Sequence, residues 1–350
     1  MNTNKKNDIL RSIEDLIKRI IQSDPPTIEL HDWRKTNLRF TDRLTTTSST
    51  DSNVRYIKFH RKQSRMLFTS VVHLLTKIYH MLRTDAWYTK REIYYDEIDI
   101  MVNQRMVDSS LLIICYLLKC PPWELNIMSS TKGLVAGPLC MKTGEDEIIT
   151  CMSPGGTIIP HRISSRSTEL RTQAKCVLIV EKDATFQRLL SEKFLEKMPM
   201  FILVTGKGYP DIYTRILVKK LNENLHLPIL ALLDADYDGI YIMCVYRFGS
   251  AKMSSFADKL ATPNIRWLGI HPSDLESYAV ETLTLEEHEK NKLRSLAKKE
   301  WVVQNKELLK QVNILLNLGQ KAEIEAIYKT SREFNIFDYI GDKIKKDELY

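Results

Sequence analysis

The sequence has few cysteines and no long hydrophobic run, and each absence excludes a class of protein. The six cysteines are Cys115, Cys120, Cys140, Cys151, Cys176 and Cys244. None of them forms a CxxC pair or has a histidine partner at zinc-site spacing, so we expect buried thiols of an intracellular protein. The longest apolar run, Leu111 to Leu118, is far too short to span a bilayer. Residues 1–8 are polar and show no signal peptide, so no membrane partner is expected.

The chain also lacks a strong excess of charge, although one segment is locally basic. Lysine and arginine number 51 against 44 acidic residues, which gives a net charge of +7. From Arg55 to Arg91, however, there are nine basic residues and a single acid, Asp85. Such a high density of positive charge favours a surface that faces phosphates. The alternative is a helix face that is exposed to solvent. No Walker A motif is present in the sequence.

The length of 350 residues is sufficient for two domains with their own cores. We predict that residues 1–64 form an amphipathic helix, ended by Pro25-Pro26, and a mobile polar linker over 23–54. Residues 65–165 are predicted to form a winged-helix domain. Residues 166–350 are predicted to form an α/β domain followed by charged helices over 285–318, with Gly319 as the C-cap.

The segment 175–240 predicts a parallel sheet with crossover helices. Apolar runs at 175–182 and 200–205, and a third that leads through Leu232-Leu233 into Asp234, are typical of strands that are buried on both faces. Helical patterns at 184–196 and 211–225 separate them, and 265–269 is predicted to form a fourth strand. Strands that alternate with helices in this way indicate a mixed α/β fold with a parallel core.

Carboxylates follow two of these strands. Glu181 ends the first strand, and Asp234 and Asp236 end the third. Because the carboxyl ends of parallel strands share one edge, we expect these three side chains to meet there and to bind Mg²⁺. The alternative is that the aspartates only cap the following turn. A haloacid-dehalogenase-like phosphotransferase would need its DxD motif on the first strand, and here the motif follows the third.

A second group of candidate residues lies on a predicted helix that begins near Lys90. Thr89 and Glu92 have the spacing of a capping box. Arg91 and Tyr95 share one face at i, i+4 spacing, so Tyr95 is expected to be exposed beside a guanidinium. An apolar face is expected to contain Tyr94, Ile98, Met101 and Val102.

The residues after this helix complete the winged-helix prediction. The segment 129–137 is rich in small residues that allow close approach of the backbone to DNA, and it contains Lys132 as a possible phosphate contact. An ordinary glycine-rich loop is the alternative. Residues 141–165 are expected to form a wing hairpin that turns at Pro154-Gly155-Gly156.

Several strings resemble one family of proteins from about Ile9 to about Ile327. VLIVEKDATFQRLL, ILVTGKGYPDIYTRILVKKL, DADYDGIYIMCVYRFGS and TKREIYY are similar to the meiotic double-strand-break transesterases, eukaryotic relatives of the topoisomerase VI A subunit. The resemblance implies a CAP-like winged-helix domain followed by a Toprim domain. It also implies a DNA-cleaving enzyme in which Tyr95 is the nucleophile and Arg91 supports it, with Glu181, Asp234 and Asp236 binding Mg²⁺.

The same resemblance implies the partners. These are double-stranded DNA, a second copy of the chain, accessory meiotic proteins and a topoisomerase VI B-like subunit, all in the nucleus. Arg91, Lys132 and Lys207 are candidates for contacts with DNA phosphates. Two alternatives remain at this point: a true topoisomerase VI A subunit, and a catalytically silent DNA-binding module of the same fold. Whether Asp238 is a further metal ligand or a helix cap also remains open.

Overall fold

The computed structural model describes residues 3–31, 37–47, 54–143, 147–165, 167–329 and 335–350. They divide into two compact units. Unit 1 comprises Met1–Arg39, Thr46–Ser130 and Ser164–Ser167, and unit 2 comprises Phe40–Thr45, Thr131–Ile163 and Thr168–Tyr350. No helix within the described ranges is both long and apolar enough to cross a membrane.

The helices, in chain order, are α1 (Thr3–Gln22), α2 (Lys62–Thr84), α3 (Lys90–Asp96), α4 (Gln104–Leu117), α5 (Asp183–Ser191), α6 (Phe194–Lys197), α7 (Ile212–Leu225), α8 (Tyr237–Phe248), α9 (Ala257–Leu260), α10 (Asp274–Ser277), α11 (Glu287–Ala297), α12 (Glu300–Val303), α13 (Lys306–Leu318) and α14 (Ile336–Lys345). The strands are β1 (Thr27–His31), β2 (Asn37–Phe40), β3 (Leu44–Thr47), β4 (Val54–Lys58), β5 (Tyr88–Thr89), β6 (Ile127–Met128), β7 (Leu134–Ala136), β8 (Leu139–Lys142), β9 (Ile148–Thr150), β10 (Thr157–Ile158), β11 (Glu169–Thr172), β12 (Cys176–Val180), β13 (Phe201–Thr205), β14 (Ile229–Leu232), β15 (Arg266–Gly269), β16 (Leu283–Thr284) and β17 (Gln320–Lys321).

Unit 1 is organised around the long helix α2. Apolar residues at helical spacing, from Phe68 to Leu82, are buried along one side of this helix. Helices α1 and α4 and strand β4 pack against α2. Two hydrogen bonds tie α1 to α2 and the residue that follows it, from the Lys6 Nζ to the Asp85 Oδ1 at 2.7 Å and from the Tyr79 hydroxyl to the Glu14 Oε1 at 2.6 Å. The N-terminal helix is therefore part of this unit.

The predicted polar linker over 23–54 is wrong where the structure describes it. Strands β1 and β4 form an antiparallel ladder from Thr27↔Lys58 to His31↔Val54. Ile28, Leu30 and Ile57 are buried, and their alternation with polar residues is the pattern of a half-buried strand. Because the surrounding residues are polar, this short alternation was not recognised as a strand in the sequence. Residues 32–36 and 48–53 of the predicted linker lie outside the described residues.

Unit 2 contains a six-stranded sheet in the order β10-β7-β13-β12-β14-β15. Strands β13, β12, β14 and β15 are parallel. At one edge β7 pairs antiparallel with β13, and β10 pairs antiparallel with β7. All residues of β13 and β14 are buried, as the continuous apolar runs predict. The predicted mixed α/β fold with a parallel core is confirmed, and so are the crossover helices α5 and α7.

One face of this sheet is covered by helices from two distant parts of the sequence. Alternate strand residues such as Leu178, Leu203 and Leu232 share a core with α5 and α6. Ile336, Tyr339 and Ile340 of α14 belong to the same core. The packing therefore fixes α14, more than 100 residues downstream, to the sheet that carries the candidate carboxylates.

Residues 131–163 belong to unit 2, which differs from the predicted domain boundary at residue 165. Strand β7 pairs with β13 from Leu203↔Ala136 to Thr205↔Leu134, so it extends the parallel sheet. A Cβ at Gly137 would lie 2.8 Å from the Phe201 carbonyl oxygen, and one at Gly133 would collide with the Thr214 side chain. These glycines therefore allow close packing inside the unit, which explains them without contact to DNA.

The predicted wing hairpin also differs from the structure. Strands β8 and β9 pair with each other, and β11 completes a three-stranded sheet. The turn at Pro154-Gly155-Gly156 instead connects β9 to β10, which belongs to the six-stranded sheet. The helical segment predicted over 285–318 is divided into α11, α12 and α13, and Gly319 caps α13 with φ 63°, as predicted.

Candidate functional site

The candidate nucleophile Tyr95 lies on α3, whose start is fixed by its own sequence. The Thr89 side chain accepts from the Glu92 backbone N–H at 3.1 Å, and the Glu92 Oε2 accepts from the Thr89 N–H at 2.6 Å. The predicted capping box is therefore confirmed. Ile93 is fully buried, whereas Tyr95 is 57% exposed. The helix thus presents the Tyr95 hydroxyl to solvent.

Arg91 contacts this hydroxyl from one helical turn earlier. Its Nη2 and Nε atoms lie 3.3 Å and 3.4 Å from the Tyr95 Oη. The guanidinium also lies 5.7 Å from the centre of the Tyr95 ring. This pair therefore places a permanent positive charge where a tyrosinate or a bound phosphate would carry negative charge.

The apolar face predicted for this helix is partly wrong. Met101 is buried and Tyr94 is half-buried, but Ile98 and Val102 are 53% and 57% exposed. The reason is that α3 ends at Asp96, so the later residues do not continue its helical spacing. Tyr94 is still less accessible than Tyr95, as the sequence predicts.

Glu181 and Asp234 lie at the carboxyl ends of the neighbouring strands β12 and β14. The Glu181 Oε2 accepts from the Asp234 backbone N–H at 2.9 Å, and both residues are buried. The Asp236 side chain caps α8 by accepting from the Gly239 N–H at 2.7 Å. A Cβ at Gly239 would collide with the Asp234 carbonyl oxygen, so only glycine lets α8 begin this close to Asp234.

Burial raises the pKa of all three carboxyl groups. For Glu181, desolvation acts first and the nearby charge of Asp234 adds to it. Desolvation likewise raises the pKa of Asp234, although the Ile324 N–H and Lys182 oppose the shift. For Asp236, desolvation exceeds the opposing hydrogen bond from Gly239 and raises the pKa. Concentrated negative charge of this kind is relieved when a cation binds.

Lys132 and Lys207 lie together beside this sheet edge. The Lys132 Nζ donates to the Lys207 carbonyl oxygen at 3.0 Å. The Lys207 Nζ forms an ion pair with the Asp183 Oδ2 at 3.0 Å. Lys207 belongs to the glycine-flanked turn after β13, and the Gly208 N–H donates to the Glu181 carbonyl oxygen at 2.9 Å. The turn is therefore fixed directly to the residue that ends β12.

Sequence reasoning missed the groups that surround Asp234. The Lys182 Nζ lies 2.9 Å from the Asp234 Oδ2, and the Ile324 N–H donates to the Asp234 Oδ1 at 2.8 Å. Lys182 also contacts Glu323 at 3.3 Å and Glu325 at 3.0 Å. Lys182 follows Glu181 directly in the sequence, so its place near the carboxylates could have been predicted. No rule of sequence spacing could have connected residues 323–325 to residue 234.

Comparisons with known proteins match two parts of this chain to described families. A family model for the Toprim domain of Spo11 and the topoisomerase 6 A subunit matches residues 176–344, and one described as "Type IIB DNA topoisomerase" matches residues 66–127. The meiotic recombination protein SPO11 of Mus musculus is 36% identical over 340 residues, covering 95% of this chain and 85% of the mouse protein. The Homo sapiens SPO11 is 36% identical over 349 residues, covering 97% and 87%.

The chain belongs to the family formed by Spo11 and the topoisomerase VI A subunit. A plant relative, the A subunit of DNA topoisomerase 6 from Arabidopsis thaliana, is 32% identical over 284 residues, covering 80% of this chain and 66% of the plant protein. The chain is therefore a topoisomerase VI A-like DNA transesterase, and its likeness to the SPO11 proteins makes it a meiotic protein that forms double-strand breaks. The haloacid-dehalogenase alternative is thereby excluded.

Toprim domains generally use Mg²⁺, and the oxygen donors of this Spo11-family chain suit that ion. Glu181 and Asp234 are adjacent carboxylates, and Mg²⁺ needs only one or two carboxylates, with waters and phosphate oxygens completing its shell. Among the residues that the structure describes, no three acidic, histidine or cysteine side chains converge as a complete ligand set. The arrangement therefore fits an open site that is completed by water and substrate.

The sequence did not decide whether Asp238 is a metal ligand or a helix cap, and in the structure its side chain contacts Tyr209. Its Oδ1 accepts from the Tyr209 hydroxyl at 2.8 Å, and the N-cap of α8 is Asp236. Asp238 is therefore neither the cap of α8 nor a partner in the hydrogen bond between Glu181 and Asp234. Burial and the hydrogen bond to Asp238 raise the pKa of Tyr209.

Proposed function

We propose that Tyr95 is the nucleophile that cleaves one DNA strand, and that Arg91 supports it. The observation that carries this proposal is the exposed Tyr95 hydroxyl with the Arg91 guanidinium 3.3 Å away on a capped helix. A tyrosine buried in the core could not reach a phosphodiester. The half-buried Tyr94 is therefore the weaker candidate.

The reaction is a transesterification. The Tyr95 Oη loses its proton to solvent or a base and attacks the phosphorus, forming a P–O bond and a 5′-phosphotyrosyl link. The bond from phosphorus to the 3′ oxygen breaks, and that oxygen takes a proton and leaves as a 3′-hydroxyl. One phosphoester replaces another, so cleavage itself needs no ATP. Arg91 stabilises negative charge on the attacking oxygen and on the phosphate.

The carboxylates at the ends of β12 and β14 supply the metal site in this proposal. Glu181, Asp234 and Asp236 would hold Mg²⁺, which when bound screens phosphate charge and stabilises the leaving oxygen. The support for Glu181 and Asp234 is their direct contact and their burial. Asp236 lies two residues beyond Asp234 and follows the same strand.

Lys132 and Lys207 are proposed to contact DNA phosphates. Their support is the hydrogen bond that joins them and their position next to the turn fixed on Glu181. The basic stretch from Arg55 to Arg91 would add contacts that do not depend on base sequence, and DNA affinity should then fall as salt rises.

The working unit is proposed to be a homodimer on double-stranded DNA. A double-strand break needs two nucleophiles, and each chain supplies one Tyr95. A twofold dimer matches the twofold symmetry of the duplex. We further propose that Tyr95 of one protomer works with the carboxylates of the other. Accessory meiotic proteins and a B-like subunit would join this dimer on chromosomes in the nucleus.

The experiment that tests this function compares Tyr95→Phe with the matched variant Tyr94→Phe. Covalent protein–DNA adducts are recovered under denaturing conditions and counted. Tyr95→Phe should remove the adducts without weakening DNA binding, and Tyr94→Phe should retain most of them. Adducts that persist in Tyr95→Phe but disappear in Tyr94→Phe would reverse the assignment. A wild-type chain that binds DNA and never forms adducts would support a silent DNA-binding module instead.

A further inference from the structure

Lys182 places one ammonium group among three carboxylates next to the metal site proposed above. Its Nζ lies 2.9 Å from the Asp234 Oδ2, 3.0 Å from the Glu325 Oε2 and 3.3 Å from the Glu323 Oε2. The Lys182 side chain is only 28% exposed, so these contacts are partly shielded from water. Shielding of this kind makes charge-assisted contacts stronger than those at an open surface.

Both oxygens of Asp234 already have partners. The Ile324 N–H fixes Oδ1 at 2.8 Å, and the Lys182 ammonium occupies Oδ2 at 2.9 Å. The Asp234 side chain is 5% exposed, so little of it is left for another ligand. A cation that binds Oδ2 must therefore compete with the ammonium for that oxygen, whereas the bond from Ile324 can persist and keep the carboxylate oriented.

The structure also provides a second position for the ammonium. The Glu325 Oε2 contacts the Lys182 Nζ, while the Glu325 Oε1 accepts from the Thr185 hydroxyl at 2.6 Å. Glu325 is thus held by Thr185 on one side and faces Lys182 on the other. Glu323, which is more exposed, adds a further negative charge within reach of the same ammonium.

We propose that Lys182 is an exchangeable internal counter-ion that neutralises Asp234 until Mg²⁺ binds there, and that Glu323 and Glu325 then retain its ammonium. This inference rests on the proposed function because it needs a metal at Asp234. Lys182 is a positioning residue in this proposal, since it acts through its contact with Asp234. It lets the buried carboxylates stay charged before the metal arrives, and in return it competes with the metal.

Competition between Lys182 and Mg²⁺ determines in which direction the Mg²⁺ affinity should change when Lys182 is replaced. Removing the ammonium should strengthen Mg²⁺ binding, because the ion no longer has to displace it. If Lys182 served only to hold the site in shape, its removal would weaken Mg²⁺ binding or leave it unchanged. The two roles therefore predict different shifts in the same dissociation constant.

The test is calorimetric titration of the full chain with MgCl₂ at fixed ionic strength. Lys182→Met should lower the Mg²⁺ dissociation constant about tenfold. This is the effect expected when the ion no longer competes with the ion pair between Lys182 and Asp234. Lys175→Met is the matched control, because it removes an exposed lysine before the opposite end of the same strand, and it should leave the constant unchanged. Lys182→Arg retains the positive charge and should restore affinity close to that of the wild type.

A second variant tests the other half of the exchange. Glu325→Gln removes the position that retains the ammonium, so Lys182 should hold Asp234 more firmly and the Mg²⁺ dissociation constant should rise several-fold. The thermal stabilisation by Mg²⁺ should be larger in Lys182→Met than in the wild type, since the tighter ligand stabilises more. If Lys182→Met does not fold, Glu325→Gln decides the question alone.

These experiments distinguish failure of the proposed exchange from failure of the proposed metal site. Unchanged or weaker Mg²⁺ binding in Lys182→Met, or unchanged binding in Glu325→Gln, overturns the exchange while leaving the metal site intact. Asp234→Asn provides the reference, because it should weaken Mg²⁺ uptake if the metal site is real. A wild-type chain that takes up no Mg²⁺, or an Asp234→Asn chain that binds it normally, overturns the proposed site and the exchange together.

Discussion

The Arg91 guanidinium donates to the Tyr95 hydroxyl across one turn of α3, with Nη2 3.3 Å and Nε 3.4 Å from Oη. The contact is solvent-exposed, so its value for stability is small. In the proposed reaction the contact would matter more, because a bound phosphate would exclude water from the pair. The relationship is therefore one that a DNA substrate would use.

Arg91→Ala is expected to slow adduct formation about 100-fold, the usual effect of removing one donor that stabilises charge in the transition state. Single-turnover formation of covalent adducts on a defined duplex measures this rate. Arg91→Lys should recover part of it, because a lysine keeps the charge but loses the planar group. The control is Arg105→Ala, which removes an exposed arginine on α4. Equal losses in Arg91→Ala and Arg105→Ala would mean that general electrostatic attraction explains the effect.

The shared-site dimer is tested by mixing two inactive chains. One chain carries Tyr95→Phe and the other carries Asp234→Asn, and each is expected to be inactive as a homodimer. If sites are shared between protomers, the mixed dimer has one site with both defects and one intact site. The expected product is a nick in one strand with a covalent adduct. If each site is built from a single chain, both sites are damaged and the mixture cleaves nothing.

A buried histidine predicts how stability depends on pH. The His271 Nδ1 accepts from the Lys343 Nζ at 3.0 Å, and its Nε2 contacts the Trp267 carbonyl oxygen at 2.9 Å. Burial, together with the charge of Lys343 and against the attraction of Asp274, lowers the pKa of His271 to about 4. The other charged group in this cluster is Glu348, which contacts Lys343 at 3.1 Å.

Between the unfolded pKa of about 6.5 and the folded pKa of about 4, the unfolded chain binds more protons at this residue. The free energy of unfolding should therefore decrease as pH falls through this window, by on the order of 1 kcal/mol per pH unit. His271→Gln retains an acceptor for Lys343 and does not titrate, so its unfolding free energy should depend less on pH there. Denaturant unfolding from about pH 4 to pH 7, the window set by these two values, measures both slopes. Identical slopes would show that His271 does not control this dependence.

The sequence predicts the parts of this protein that depend on local pattern. The strands β12, β13 and β14 follow from continuous apolar runs, and the start of α3 follows from Thr89 and Glu92. The contact between Arg91 and Tyr95 needs only helical spacing. Glu181 and Asp234 meet because parallel strands end at one edge of the sheet.

The parts that the sequence did not predict depend on long-range contacts. The pairing of β1 with β4 joins two short alternating segments across residues of polar composition. Strand β7 joins the parallel sheet because Gly133 and Gly137 have no Cβ and so let neighbouring atoms pack closely against the backbone. The position of Glu325 against Lys182 joins residues 143 positions apart, and no local rule anticipates it.

The assignment of Tyr95 as the nucleophile is tested by locating the covalent bond between protein and DNA. Wild-type chain is trapped on a defined duplex and digested with protease and nuclease, and the nucleotide-bearing peptide is identified by mass spectrometry. We expect a single modified residue, Tyr95, linked through its phenolic oxygen to a 5′ phosphate, with a free 3′-hydroxyl on the other fragment. A nucleotide on Tyr94 or any other residue, or a link to a 3′ phosphate, would contradict it.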